Sequence, residues 1–172
     1  MENERKFYPS REVAPQSHTI CFDKKHFEKT ERLIDTDTLV GLLNQWWDKT
    51  CVENGLDPRE KKLEDIGYYL IELGKNALEL ENNGIIKVIF EENKITVIVT
   101  NSGQGWDGNP NDDILYGTPG HGLSQTKKFA DEFVIETNQK KYIKVSKNIK
   151  LKEADNPELK EGSRITFIKN LK

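Results

Sequence analysis

The stretch IGYYLIELGKNALEL at 66–80 decides how this chain is read. Ile66, Leu70, Leu73 and Ala77 recur at helical spacing and, with Leu63 ahead of them, form one apolar stripe. The segment therefore reads as an amphipathic helix with its back to a core. Glu72 and Asn76, four residues apart, stand one turn above each other on a neighbouring face. Upstream, Asp57, Pro58 and Glu60 make a helix-start signature: a capping carboxylate, a proline in the first turn, and a glutamate three residues after the cap. The helix is expected to run to about Leu80.

On the C-terminal side the pattern changes. After Gly84, IIKVIF and ITVIVT flank the polar EENK and read as two strands of a tight hairpin. Residues 101–120, NSGQGWDGNPNDDILYGTPG, hold five glycines and two prolines, the composition of a long functional loop. A short helix over 122–130 follows. DEFVIETN, KKYIKVSKNIKLK and SRITFIKN then read as strands, the middle one with Ile143, Val145, Ile149 and Leu151 on one side. Its six lysines from Lys140 to Lys152 fit an outer face that guards against edge pairing.

On the N-terminal side, Ser17 to Asp23 reads as a short strand. A helix from Thr36 carries Leu39, Leu42, Leu43, Trp46 and Thr50, with Asp35 or Thr36 as cap and Gly55 as stop. Residues 1–17 read as an arm and 18–172 as one domain. The fold class implied is α+β, a two-layer sandwich with helices on one face of a mixed, mostly antiparallel sheet and the glycine loops between the layers.

Composition narrows the functions. With 172 residues, 32% charged and 35% apolar, the chain suits one soluble domain, and a net charge of −3 gives no global attraction to nucleic acid or anionic lipid. MENERKFYPSREV lacks the apolar run of a signal peptide, and no stretch has membrane-spanning length, so a cytoplasmic protein is expected. Cys21 and Cys51 have no second cysteine or histidine pair nearby, which argues for buried thiols and against a zinc site or disulfide. Trp47 reads as half-buried, or as part of a partner or homodimer surface, and Trp106 as an anchor for its loop.

The polar residues point to polyphosphate chemistry. A carboxamide such as Asn76 is a hard ligand suited to Mg²⁺, which takes its other ligands from water and phosphate. Glu72 beside it suits a base acting on a hydroxyl or water held in line with a terminal phosphate. Gly120, Gly122 and the helix they open offer backbone amides and the positive end of a helix dipole. His121 between them reads equally as a γ-phosphate contact or a solvated turn residue. Asn101, at the end of a buried strand, would meet a purine edge.

These boxes resemble the ATPase superfamily shared by gyrase, heat-shock chaperones, histidine kinases and mismatch-repair proteins. ELGKN looks like its Asn box, NSGQG like its first glycine box, GHGL with SQTKKFADEFVIET like its second, and Gly162-Ser163 like its closing Gly-Thr strand, over roughly residues 36–172. Among members, the nearest look is to bacterial anti-sigma factor serine kinases, because an acidic residue precedes the Asn by four.

The resemblance implies ATP and Mg²⁺ as cofactors, Glu72 as base, and Asn76 as metal ligand. It implies Gly103 and Gly105 as the turn beneath adenine, Gly120, Gly122 and Leu123 at the phosphates, and Ser163 as a hydroxyl near the base. Lys75 or Lys127 would add charge at the phosphates. The implied partner is a protein, a sigma factor or an anti-anti-sigma-like regulator. Two further readings stand beside the kinase: a nucleotide-gated binding module without turnover, and a detached histidine-kinase catalytic module. The chain departs from the family at its base-reading Asp, which is Asn101 here, an amide that both accepts and donates.

Overall fold

The computed structural model describes residues 15–30, 33–81, 83–103, 105, 110, 121–145, 151–156, 158–159 and 161–172. Its described part is α+β, with three helices, α1 (Thr36–Glu53), α2 (Lys61–Glu81) and α3 (His121–Phe129). Seven of nine strands form one sheet. They are β1 (Gln16–Asp23), β4 (Asn83–Glu91), β5 (Lys94–Asn101), β6 (Glu132–Thr137), β7 (Lys140–Ile143), β8 (Lys152–Asp155) and β9 (Ser163–Asn170), in the order β1-β4-β5-β9-β6-β7-β8. Every recorded pairing in it is antiparallel, so the expectation of a mixed sheet is corrected. A small hairpin of β2 (Glu28–Thr30) and β3 (Leu33–Ile34) follows a 3₁₀ turn at Lys24–His26.

Local chemistry sets the helix ends. Asp35 caps α1 by accepting from the Thr38 amide at 3.1 Å and hydroxyl at 2.7 Å. The helix stops where Asn54 turns back to the Thr50 and Cys51 carbonyls and Gly55 takes φ +72°. Asp57 and Pro58 lie in a turn that delivers the chain to Lys61, with the Glu60 amide on the Asp57 carbonyl at 3.0 Å. From there α2 runs 21 residues, about 31 Å.

The expected stripe of α2, Leu63, Ile66, Leu70, Leu73 and Ala77, is buried throughout. The helix lies along β4 and β5, with α1 and α3 against it and α3 also on β9. Ile86, Val88 and Phe90 of β4, Ile95, Val97 and Val99 of β5, and Ile165 and Phe167 of β9 complete the core. Phe167 pairs in register with Val97 on one side and Phe133 on the other, so it sits at the centre of the sheet.

Three expectations change. The stripe of α1 is Leu39, Leu43, Trp47, Thr50 and Cys51, while Leu42 is 40% exposed and Trp46 only partly buried. Trp47 is a core residue, stacked on Phe90 at 6.0 Å and lying over Gly67, where a Cβ would come within 2.6 Å of its indole nitrogen. Cys51 is buried but Cys21 is exposed.

KKYIKVSKNIKLK is not one strand. β7 ends at Ile143, and β8 begins at Lys152 and pairs back on it, with Tyr142 and Leu151 buried. The Lys144 ammonium, rather than guarding an edge, bonds the Ala130 carbonyl at the end of α3. Of the arm expected at 1–17, residues 1–14 lie outside the described residues, and Gln16 and Ser17 already belong to β1, so the arm ends earlier than expected.

Candidate functional site

Two clusters bring the sequence-selected residues together. The first joins α2 to the start of α3. Gly122 is buried, and a Cβ on it would lie 3.1 Å from the Glu72 Cβ and 3.4 Å from its Oε2. Glycine therefore lets the first turn of α3 abut the carboxylate of α2. Glu72 is partly buried and forms an ion pair with Lys75 at 3.0 Å, its Oε1 accepting the ammonium proton. Asn76, half-buried, follows one turn later on the same helical face.

The second cluster closes the ends of β5, β6 and β9. Asn101 shares the helix-facing side of β5 with Val97 and Val99, and its Oδ1 accepts both the amide and the hydroxyl of Ser163, each at 2.8 Å. Gly162 has φ +74°, and a Cβ there would meet the Asn101 carbonyl oxygen at 2.2 Å. Gly105, φ +82°, is packed as tightly: its Cβ would fall 2.6 Å from the Asn138 Oδ1 and 2.8 Å from both the Gly162 oxygen and the Thr137 hydroxyl. Both positions need glycine for conformation and for space. Gly103 is half-buried in the bend between Asn101 and Gly105.

Thr137 and Asn138 in this cluster escaped the sequence reading. They close β6 at a two-residue hairpin turn, where Asn138 and Gln139 have φ 48° and 60°. Such a turn usually announces itself as Asn-Gly, and the Asn of DEFVIETN was its only trace.

The remaining candidates separate. Leu123 is 7% exposed and packs in the core. Gly120 lies outside the described residues, as does the side chain of His121. Lys127 is 4% exposed on α3, and burial first, then the nearby Lys144 and Lys128 charges, hold its ammonium below the ordinary lysine range. A cavity of about 330 Å³ opens at the ends of β1, β4 and β5, lined among others by Cys21, His26, Asn83, Ile85, Asn101 and Ser102. Of the second cluster Asn101 lines this cavity, whereas Glu72, Asn76 and Gly122 do not.

No protein-family model matches the chain, and no curated protein does. The site is therefore argued from its residues. Among the described residues no three His, Cys, Asp or Glu side chains gather to hold a metal ion. A single carboxamide ligand on α2 still fits Mg²⁺, which keeps most of its shell in water and phosphate oxygens. No helix among the described residues is long and apolar enough to cross a membrane.

Proposed function

We propose that the chain is a cytoplasmic regulatory protein that binds a magnesium nucleoside triphosphate, ATP in the resembled superfamily, and transfers its terminal phosphoryl group to a serine or threonine of a protein partner. The proposed architecture is the two-layer helix-on-sheet sandwich of that superfamily. A sigma factor and an anti-anti-sigma-like regulator are the partner classes the resemblance offers. The observation that carries the reading is Glu72 packed against Gly122, which sets a carboxylate beside the backbone at the first turn of a helix.

In this reading the purine enters beside Asn101 and Ser163, over the turn made by Gly103 and Gly105, and the phosphates run toward α3. Asn76 would hold Mg²⁺, which supplies charge neutralisation on the phosphate oxygens when bound. Glu72 accepts the proton of the attacking hydroxyl as its oxygen bonds the γ-phosphorus. The bond from that phosphorus to the β-γ bridging oxygen breaks, and the nucleoside diphosphate leaves. Lys75, three residues from Glu72 and bonded to it, would exchange that carboxylate for a phosphate oxygen.

A gated binding module without turnover is the second reading, favoured by that same ion pair, which engages the base. Incubation with γ-labelled ATP and GTP and candidate protein partners separates these. Label on serine or threonine supports the kinase, acid-labile label on histidine supports a detached histidine-kinase module, and binding alone supports the gate. Glu72→Gln is expected to abolish transfer while sparing binding, and Asn76→Ala to lose Mg²⁺-dependent binding. Transfer at full rate in Glu72→Gln removes Glu72 as the base.

A further inference from the structure

Resting on the nucleotide site proposed above, we infer that Asn101 selects a 6-oxopurine, the base of inosine or guanosine triphosphate, over adenine. The argument turns on which atom of the amide is free. Asn101 Oδ1 accepts from the Ser163 amide and the Ser163 hydroxyl, both at 2.8 Å. An amide oxygen has two lone pairs, and both are used. The side chain cannot be turned over, because the Ser163 backbone N–H is a donor and would then face a second donor.

What remains is Nδ2, which has no hydrogen-bond partner among the described residues and carries two protons to give. The half-buried Asn101 therefore presents a donor to the base, with Ser163, 6% exposed, behind it. At position 6 adenine meets it with an amino group, donor against donor, its acceptors being the ring nitrogens to either side. A 6-oxopurine meets it with a carbonyl oxygen. A site that donates to one ligand group rejects the analogue lacking the acceptor, because its own polar atom is then left unpaired on desolvation.

ATP and ITP differ at this edge of the ring, so calorimetric titration of the full chain with each, in Mg²⁺, isolates the effect. ITP is expected to bind roughly tenfold tighter, the scale of one hydrogen bond in affinity. Asn101→Asp exchanges the donating nitrogen for an oxygen of similar size and keeps both bonds from Ser163, so it should reverse the order. ATP binding as tightly as ITP to the native chain overturns the inference and leaves the nucleotide site standing. A preference for ITP that Asn101→Asp does not change overturns the assignment to Asn101. Binding of neither nucleotide removes the site itself and the inference with it. Should Asn101→Asp fail to fold, the ratio measured on the native chain decides.

Discussion

Gly162 fixes how closely two strand ends meet, because any side chain there collides with the Asn101 backbone and must also accept φ +74°. Gly162→Ala should cost about 2 kcal/mol or more, seen as a fall in the urea midpoint. A midpoint unchanged within error would show that the strand ends yield. Burial and then the Asp48 charge push the Cys51 thiol up to about 12, while Cys21 is exposed. A thiol reagent at pH 8 should therefore label Cys21 at once and Cys51 only after unfolding. Two fast thiols on the folded chain would contradict the burial. At this scale the sequence was legible where spacing alone decides, as with Glu72 and Asn76. It was not legible for adjacent residues such as Trp46 and Trp47, where the choice rests on Gly67, distant along the chain, leaving room for one indole.

Among the elements, α2 was readable because 21 residues of unbroken periodicity outweigh any local preference, but its start was not: the helix begins at Lys61, and Asp57 and Pro58, expected as its cap and first turn, lie ahead of it. Replacing Leu73, 1% exposed, by Ala should cost about 2–5 kcal/mol. Asp35→Ala at the head of α1 should cost only about 1 kcal/mol. Chemical denaturation of the two variants tests that ranking, and a larger loss for Asp35→Ala would place the weight of the fold on the cap. The segment from Lys140 to Lys152 was misread for a physical reason. Lysine alternating with β-branched residues keeps a period of two through a reversal of direction, so alternation identifies strand conformation but not where one strand yields to the next. Lys144 lies just past β7, its amide still donating to the Phe133 carbonyl of β6 at 2.8 Å, and its ammonium bonds a carbonyl at the end of α3.

For the whole molecule, the α+β class and the helix-facing rows followed from hydrophobic period, but the strand order did not, since pairing between distant segments leaves no periodic trace. β9 shows the difference. It is held beside α3 by Asp131, whose carboxylate accepts the Asn170 amide at 2.8 Å and faces Lys169 at 3.3 Å. Burial alone would raise the Asp131 pKa, but the Asn170 amide and the Lys169 charge together bring it below the usual carboxylate value. A lowered folded pKa contributes stability above the unfolded value, and that contribution is lost as pH falls through the folded one. Asp131→Asn should thus be less stable than the native chain at pH 7, and the gap should close below about pH 4, as read by thermal melts across that range. A gap independent of pH would assign the effect to packing.

The central place of β9 has a consequence for biosynthesis. On the ribosome, β1, β4 and β5 emerge as one half-sheet and β6, β7 and β8 as another, each with an open inner edge. Neither can join the other until Ser163–Asn170 clears the exit tunnel, so the nascent chain exposes first one unpaired seam and then a second until that strand arrives to stitch them.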